Sequence, residues 1–200
     1  MQDISYDYTF KILFVGDEQV GKTSILKRIT KMNLSQKYKP TIGVDFLTTT
    51  HKVNNKLIKC HMWDTAGNKA FHNIITRYFN GSAAVIFVFD LSKERSFNNI
   101  DFWLSKYKEN KNFDNLCPLF LIGNKCDRER AVRKLDIARY VNENNFIYVE
   151  TSAKYDVNID SLIKGVIENV YYNTDLYSIN NGIQKNKSKK KKRSRFCCFF

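Results

Sequence analysis

The sequence contains no apolar run that approaches the length of a membrane span, so we expect no transmembrane helix. It also lacks a basic-then-apolar segment near residue 1, and we therefore expect no secretory signal peptide. No internal repeat is visible, which argues against repeat architectures. The 200 residues are 43% hydrophobic, and this content suits one domain with a substantial core and a tail.

Three cysteines, Cys60, Cys117 and Cys126, lack the spacing of metal ligands, which argues against a metal site built on them. We expect them to be reduced thiols in or near the core of a cytosolic protein. Cys197 and Cys198 differ from these, because they lie side by side close to residue 200.

Acidic residues are absent after Asp175, whereas residues 185–195 carry eight lysines and arginines. Removing those eight positive charges from the net charge of +13 leaves about +5, so the body is only mildly basic. Asn, Ser, Gly and Lys replace the apolar pattern beyond residue 173. We therefore predict a disordered tail over 174–200, a folded domain over 9–173 and a short extension over 1–8.

Residues 16–24, Gly-Asp-Glu-Gln-Val-Gly-Lys-Thr-Ser, have the spacing of a phosphate-binding loop. An apolar, β-prone stretch at 10–15 precedes them, and a helical pattern follows. In such a loop, backbone N–H groups and the helix N-terminus face the phosphates. Lys22 would reach the terminal phosphates and Thr23 would take a Mg²⁺ position. The alternative is a glycine turn with a chance Lys-Thr pair.

Strands and helices alternate along the chain, which indicates an α/β fold with a mostly parallel sheet. We predict six strands with one antiparallel edge strand and helices on both faces. The strands are predicted at 10–15, 46–53, 57–63, 83–89, 118–122 and 146–149. Helices are predicted after the phosphate loop, weakly to residue 79, around 97–107, at 132–143 and at 159–170.

Polar motifs follow three of the predicted strands, at the sheet edge where α/β proteins bind ligands. Asp64 fits a carboxylate on the Mg²⁺ side, and Gly67 fits a backbone N–H near the last phosphate. A helix-capping Asp with a turn glycine is the structural alternative. The segments 123–127 and 150–154 suit guanine, since a carboxylate at Asp127 can accept from its N1–H and 2-amino groups.

These motifs, in this order, resemble those of the Ras-superfamily small GTPases, and most closely the Rab family, from about Thr9 to Tyr172. Rab-like features are Trp63 before Asp64, the segments 42–46 and 78–81, the pair Phe89-Asp90, and the final cysteine pair. The resemblance implies a P-loop GTPase domain that binds GTP or GDP with Mg²⁺.

The resemblance also implies roles for individual residues. Those expected to bind the nucleotide are Gly16, Glu18, Gln19, Val20, Gly21, Lys22, Thr23, Ser24, Thr41, Asp64, Gly67, Asn124, Lys125, Asp127, Ser152, Ala153 and Lys154. Those expected around the metal are Thr23, Thr41 and Asp64, and those expected to act in hydrolysis are Lys22, Gly67 and Asn68. Ile42, Phe46, Trp63 and Tyr78 are expected to face effectors, with edge packing as the alternative for the aromatic trio.

The tail is similar to that of the double-cysteine Rabs, in which a prenyl escort protein delivers the chain for geranylgeranylation. Cys197 and Cys198 are then the lipidation sites, and the basic run strengthens binding to anionic membranes. The resemblance implies a monomer on the cytoplasmic face of a vesicle, Golgi or endosomal membrane, with a cytosolic pool. It also implies an exchange factor, a GTPase-activating protein, a GDP-dissociation inhibitor and effectors as partners.

Four features depart from the family pattern. Asn68 replaces the glutamine that orients the attacking water, and Glu18 replaces a small residue in the phosphate loop. Residues 69–72 read Lys-Ala-Phe-His instead of Glu-Arg-Phe-Arg, and Leu34 replaces an aromatic residue beside guanine. We therefore predict a switch for vesicle trafficking with slow intrinsic hydrolysis.

Three other functions stay open at this point. A pseudo-GTPase would hold guanine nucleotide without turnover, which the residues at positions 68 and 18 would favour. A P-loop ATPase or kinase would leave the segment 124–127 unexplained. A nucleic-acid binder is disfavoured, because the basic tail has no interleaved aromatic residues before Phe196.

Overall fold

The computed structural model describes residues 5–34, 39–110, 117–173 and 183–185, and its strands join in one sheet. The strands are β1 (Tyr8–Val15), β2 (Val44–Val53), β3 (Lys56–Thr65), β4 (Ala84–Asp90), β5 (Leu119–Asn124), β6 (Ile147–Thr151) and β7 (Ile183–Lys185). Each of the first six lies within a few residues of a predicted strand. The strand predicted at 83–89 is β4, which is buried along its whole length.

The sheet has the order β2-β3-β1-β4-β5-β6, and β7 pairs with β1 off this path. Neighbouring strands from β3 to β6 are parallel, whereas β2 runs antiparallel to β3. The β2–β3 hairpin turns at Asn54 and Asn55, whose φ values of 47° and 60° suit a tight two-residue turn. The predicted six-stranded, mostly parallel sheet with one antiparallel edge is confirmed.

Helices cover both faces of the sheet. They are α1 (Lys22–Ile29), α2 (His72–Ile75), α3 (Glu94–Asn98), α4 (Ile100–Lys108), α5 (Lys134–Asn144) and α6 (Ile159–Tyr172), with 3₁₀ turns at Lys69–Phe71 and Thr76–Phe79. One apolar core lies between the sheet and the helices α1 and α6. The other lies between the sheet and the helices α2, α4 and α5.

The strand β1 supplies both cores, because its side chains alternate between the faces. Phe10, Ile12 and Phe14 enter the α1/α6 core, whereas Leu13 and Val15 enter the opposite core. All five side chains are fully buried. This double burial fixes the strand in the middle of the sheet, so its carboxyl end presents the following loop at a defined place.

Two predicted helices differ from the observed ones. The helix predicted around 97–107 is interrupted at Asn99, which separates α3 from α4 and whose side chain bonds to Asp17. The helix predicted from residue 132 begins at Lys134. Val132 stays outside it because its N–H donates to the carbonyl oxygen of Leu91.

Both ends of the folded domain extend beyond the predicted limits. Residue 8 already lies in β1, and the N–H of Asp7 donates to the carbonyl oxygen of Leu57 at 2.8 Å. Residues 183–185 correct the prediction of a wholly disordered tail, since they pair antiparallel with Tyr8–Phe10. They use an edge of β1 that β4 leaves open, because β4 pairs with β1 only from Ile12 onward. The rest of 174–200 lies outside the described residues.

Candidate functional site

The phosphate loop joins β1 to α1 and closes around its own lysine. Gly16 has a φ of 140°, and a Cβ built there would lie 2.2 Å from the carbonyl oxygen of Val88, so only glycine fits. The Nζ atom of Lys22 donates to the carbonyl oxygens of Gly16 and Asp17, each at 2.7 Å. The loop therefore holds the Lys22 ammonium group at a fixed position, where it can bind a phosphate.

Lys22 is only 5% exposed, and burial lowers the pKa of its amine to about 8. The carboxylates of Asp64, Asp17 and Glu18 act in the opposite direction and favour the charged form. A bound phosphate would add negative charge beside the ammonium and would favour protonation further. The loop therefore favours binding of an external anion such as phosphate beside the Lys22 ammonium group.

Three oxygen-bearing side chains converge beside the loop. The hydroxyl of Thr23 donates to Oδ2 of Asp64 at 2.5 Å and lies 3.0 Å from the hydroxyl of Thr41. Asp64 is 1% exposed, and its Oδ1 has no hydrogen-bond partner among the residues that the structure describes. Burial raises the pKa of this carboxyl group. A hard cation such as Mg²⁺ fits this set, because it prefers oxygen ligands and would offset the buried charge.

Asn124 ends β5 and connects the phosphate loop to the guanine segments. Its Nδ2 donates to the carbonyl oxygen of Val20 at 2.8 Å, and its Oδ1 accepts from the hydroxyl of Thr151 and the N–H of Ala153. Asn124 therefore braces the phosphate loop against the segment 150–154.

The two guanine segments contact each other through side chains. Lys125 donates to the carbonyl oxygen of Gln19 and to Oδ2 of Asp90, both at 2.6 Å. The hydroxyl of Ser152 donates to Oδ1 of Asp127 and leaves Oδ2 of that exposed carboxylate available. The segments that the sequence predicted to share one base therefore lie together.

A cleft of about 440 Å³ opens over these groups, a size typical of small-ligand sites. Its predicted lining residues are Glu18, Gln19, Gly21, Lys22, Thr23, Ser24, Thr41, Gly67, Asn68 and Lys125. Residues without an assigned role also line it, among them Lys39, Lys93 and Arg128. The other predicted site residues are not among those that line it: Gly16, Val20, Asp64, Asn124, Asp127, Ser152, Ala153 and Lys154. A cationic lining fits a polyphosphate ligand.

Gly67 and Asn68 begin the segment that follows β3, at the mouth of the cleft. A Cβ on Gly67 would lie 2.0 Å from the backbone nitrogen of Glu18, so this glycine permits close contact with the phosphate loop. The Oδ1 atom of Asn68 accepts from the N–H of Ala70 at 3.0 Å and caps the first 3₁₀ turn. The side chain of Glu18 is exposed at the same mouth.

An aromatic row lies on the outer side of β2 and β3. The ring of Trp63 is 4.9 Å from that of Phe46 and 5.1 Å from that of Tyr78. Lys11 lies 5.6 Å from the Trp63 ring and supports the row from the sheet. Phe46 is 43% exposed, and Ile42 nearby is 81% exposed. Core packing alone does not explain such exposure, so this surface is available to a partner.

The remaining sequence predictions concern cysteines and membranes. Cys60, Cys117 and Cys126 are free thiols, as predicted. Cys197 and Cys198 lie outside the described residues. Among the helices within the described ranges, none is long and apolar enough to cross a bilayer.

Comparison with known proteins settles the family. The sequence model of the Ras family matches residues 11–172. Rab-13 of Rattus norvegicus is 38% identical over 172 residues, which are 85% of this chain and 84% of the relative. This chain is a Rab-family small GTPase of the Ras superfamily. Rab-11B of Dictyostelium discoideum is 36% identical, over 86% of this chain and 78% of that protein. The GTP-binding protein ypt3 of Schizosaccharomyces pombe is 35% identical, over 85% and 79%.

Membership of the Rab family establishes the chemistry that the cleft serves. The chain is a GTPase that binds GTP and GDP with Mg²⁺ and acts as a switch in vesicle trafficking, with regulators and effectors as partners. In this Rab-family chain, the segment after β3 is therefore switch II, which we define as residues 67–79. Thr41 belongs to the first switch segment.

Sequence reasoning missed one polar cluster in this Rab-family chain. It comprises Asp17 in the phosphate loop, Asn99 between α3 and α4, and Trp103 in α4. The sequence predicts a helix around 97–107 but does not indicate that Trp103 within it donates to Asp17. A clue in the sequence was the polar Asn99 at the position where an apolar helical pattern continues on both sides.

Proposed function

We propose that this Rab-family chain is a membrane-anchored GTP/GDP switch that hydrolyses GTP slowly without an activating protein. The observation that carries the proposal is the position of Asn68. Its amide oxygen is engaged by the N–H of Ala70 at 3.0 Å, so it caps its own turn. Asn is also one methylene shorter than the Gln usual in the family. Both features keep the Asn68 amide away from the position of an attacking water molecule in line with the terminal phosphate.

The exposed carboxylate of Glu18 supports slow hydrolysis through its charge. Glu18 lines the cleft mouth together with Asn68, and its charge reaches Lys22, whose protonated form it favours. Negative charge at that mouth opposes the charge that develops on the transferred phosphoryl group. The proposal assigns the slow rate to both residues, with the larger part to Asn68.

The chain's own groups prepare the site for the nucleotide. We assign Lys22 and the phosphate-loop N–H groups to the phosphates, and Thr23, Thr41 and Asp64 to the metal position. Mg²⁺ supplies charge neutralisation of the phosphate oxygens when it is bound. Asp127, oriented by Ser152, is assigned to the guanine edge. Asn124 and Lys125 hold these segments against the phosphate loop.

Single-turnover hydrolysis of bound GTP tests the slow rate. Intrinsic rates in this superfamily are about 10⁻⁴ s⁻¹, and a tenfold change corresponds to about 1.4 kcal/mol of barrier. Asn68→Gln is expected to raise the rate about tenfold. Asn73→Gln, the same change at an exposed position of switch II, is the matched control and should leave the rate unchanged. An Asn68→Gln rate equal to or below that of the parent contradicts the proposal.

The same assay addresses the pseudo-GTPase alternative. Stimulation by any activating protein identifies a working catalytic site. Absence of turnover in both the parent and Asn68→Gln, with GTP bound throughout, favours the pseudo-GTPase.

Membrane anchoring rests on residues outside the described ranges. We assign lipidation to Cys197 and Cys198, and attraction to anionic lipid to the basic residues 185–195. An escort protein and a GDP-dissociation inhibitor would then handle the lipidated monomer, which would distribute between cytosol and the cytoplasmic face of an intracellular membrane. The intact mass of protein from its native cell is expected to include two isoprenoid groups. An unmodified mass contradicts this anchor.

Effector recruitment is assigned to the aromatic row. Phe46, Trp63 and Tyr78 contact one another, and Phe46 and Ile42 are exposed beside both switch segments. A partner that binds this surface would distinguish the GTP-bound form from the GDP-bound form, because Thr41 and switch II border the surface.

A further inference from the structure

The carboxylate of Asp17 accepts hydrogen bonds from two neutral side chains, Asn99 between α3 and α4 and Trp103 in α4. The Nδ2 atom of Asn99 lies 2.9 Å from each carboxylate oxygen, and Nε1 of Trp103 donates to Oδ1 at 3.0 Å. Trp103 is 1% exposed and is among the largest fully buried side chains. Hydrogen bonds to an ionised acceptor in such a place are strong and directional. Asp17 is therefore fixed from outside the phosphate loop.

The backbone of Asp17 touches two parts of the nucleotide site. Its carbonyl oxygen accepts from Nζ of Lys22 at 2.7 Å. Its carbonyl carbon lies 2.1 Å from where a Cβ on Gly67 would be, so switch II packs directly on it. A shift of Asp17 would move the partner of the phosphate-binding lysine and the contact surface of switch II together.

Switch II also reaches Asp17 through Trp103. The ring of His72, the first residue of α2, lies 4.7 Å from the Trp103 ring, at an interplanar angle of 70°. The same ring lies 4.7 Å from the ring of Phe102. Among the described residues, Nε2 of His72 has no hydrogen-bond partner, but the backbone of Gly67 bonds to the imidazole, so ring packing and this bond together hold His72 in place. One indole thus contacts switch II with its ring and the phosphate loop with its N–H.

We propose that Trp103 is a positioning residue that couples the placement of switch II to the phosphate loop through Asp17, with Asn99 as the second anchor. The inference rests on the proposed nucleotide function of the cleft and adds a regulatory connection to it. When His72 is seated on the indole, the N–H is aimed at Asp17 and the loop is ordered for phosphate. When switch II withdraws, the indole loses that support and the loop loosens.

The rate of GDP dissociation in the presence of Mg²⁺ tests the anchor. Trp103→Phe keeps an aromatic ring and removes only the N–H donor to Asp17. It is expected to raise the dissociation rate about tenfold, since a hydrogen bond to a charged group is lost. Leu104→Val, a buried change on the same helix, is the control for general destabilisation. Equal dissociation rates for Trp103→Phe and Leu104→Val, at matched thermal midpoints, overturn the proposal.

A swapped pair separates positioning from packing. Asn99→Asp places a second carboxylate against Asp17 and is expected to raise the dissociation rate. Asp17→Asn combined with Asn99→Asp restores an amide–carboxylate pair and is expected to bring the rate back to within about threefold of the parent. A purely structural role predicts no such rescue, so a double variant as fast as Asn99→Asp contradicts the proposal.

Coupling to switch II is measured with a double-mutant cycle. The measured quantity is the ratio of dissociation rates for GDP and a non-hydrolysable GTP analogue. His72→Ala is expected to change this ratio in the parent and to have less effect in Trp103→Phe. Additive effects overturn the coupling. The parent is measured first, because failure of the parent to hold guanine nucleotide would refute the proposed function itself, whereas a normal parent with unaltered variants refutes only this inference.

Discussion

At the scale of single residues, Asn124 connects the phosphate loop to the end of β6 and the segment that follows it. Its amide contacts Val20 in the phosphate loop and, on its other side, Thr151 and Ala153. The side chain is 1% exposed, so no water replaces these partners. Gly21 is required beside it, because a Cβ there would lie 2.2 Å from its Nδ2.

Removal of this brace should destabilise the whole domain. Asn124→Ala leaves the carbonyl oxygen of Val20 and the N–H of Ala153 buried without partners, and each such group costs about 1–3 kcal/mol. We expect the free energy of unfolding of the Mg²⁺–GDP form to fall by about 2–4 kcal/mol in urea titrations. Asn98→Ala, at an exposed position of α3, should change it by less than about 0.5 kcal/mol. Similar values for both variants would contradict the bracing role.

At the scale of elements, switch II is a chain of short turns that depends on its contacts for its shape. It comprises the 3₁₀ turn Lys69–Phe71, the four-residue α2 and the 3₁₀ turn Thr76–Phe79. Helices this short are not stable alone. Asn68 caps the first turn, and His72 seats the segment on α4. The segment can therefore change its position at low cost.

The packing of the His72 ring on Trp103 should make the thermal stability depend on pH. Burial lowers the pKa of His72, a hydrogen bond with the backbone of Gly67 and the carboxylate of Asp17 raise it, and Lys69 and Lys106 lower it, with a net lowering. Because the folded pKa lies below the unfolded one, the unfolded chain takes up this proton first as pH falls below about 6.5. The thermal midpoint of the parent minus that of His72→Phe should therefore decrease from pH 7.5 to pH 5.5. His51 and His61 are present in both proteins and cancel. A difference in thermal midpoint that does not change with pH would contradict packing of a neutral His72 ring.

Elements set by local pattern were predictable, and those set by distant contacts were not. The apolar run of β4 and the helical spacing in α6 identified both elements within about two residues. The break between α3 and α4 escaped prediction because Asn99 bonds to Asp17, 82 residues away. Motif spacing likewise placed Lys22, Thr23, Asp64 and Asp127 at one edge. It did not reveal that Asn68 caps its own turn, since that depends on backbone geometry.

At the scale of the whole molecule, the basic charge is concentrated in one segment of the sequence. Eight basic residues lie in 185–195, whereas the remainder of the chain carries about +5. The strand β7 brings residue 185 to the amino end of β1, opposite the carboxyl ends of the strands that carry the site. The basic segment therefore begins on the side of the sheet away from the nucleotide site.

Vesicle binding of the unlipidated protein tests whether the basic segment 185–195 attracts the chain to anionic membranes. Replacement of Lys189, Lys190, Lys191 and Lys192 by Gln should lower partition onto phosphatidylserine-rich vesicles by about a hundredfold or more, at about 1 kcal/mol for each residue near the surface. The matched control replaces four exposed lysines of the body, Lys31, Lys108, Lys134 and Lys164, and should lower it by less than about threefold. Equal losses would place membrane attraction in the body.

The most direct test of the convergence of these segments on one guanine nucleotide is base preference at Asp127. The parent is expected to bind GDP much more tightly than xanthosine diphosphate, because a carboxylate accepts from the N1–H and 2-amino groups of guanine. Asp127→Asn offers a donor to the 2-oxo group of xanthine and should reverse the preference, as measured by competition for the nucleotide-free protein. An unchanged preference in the variant, or equal affinity of the parent for both bases, would contradict the placement of Asp127 at the guanine edge.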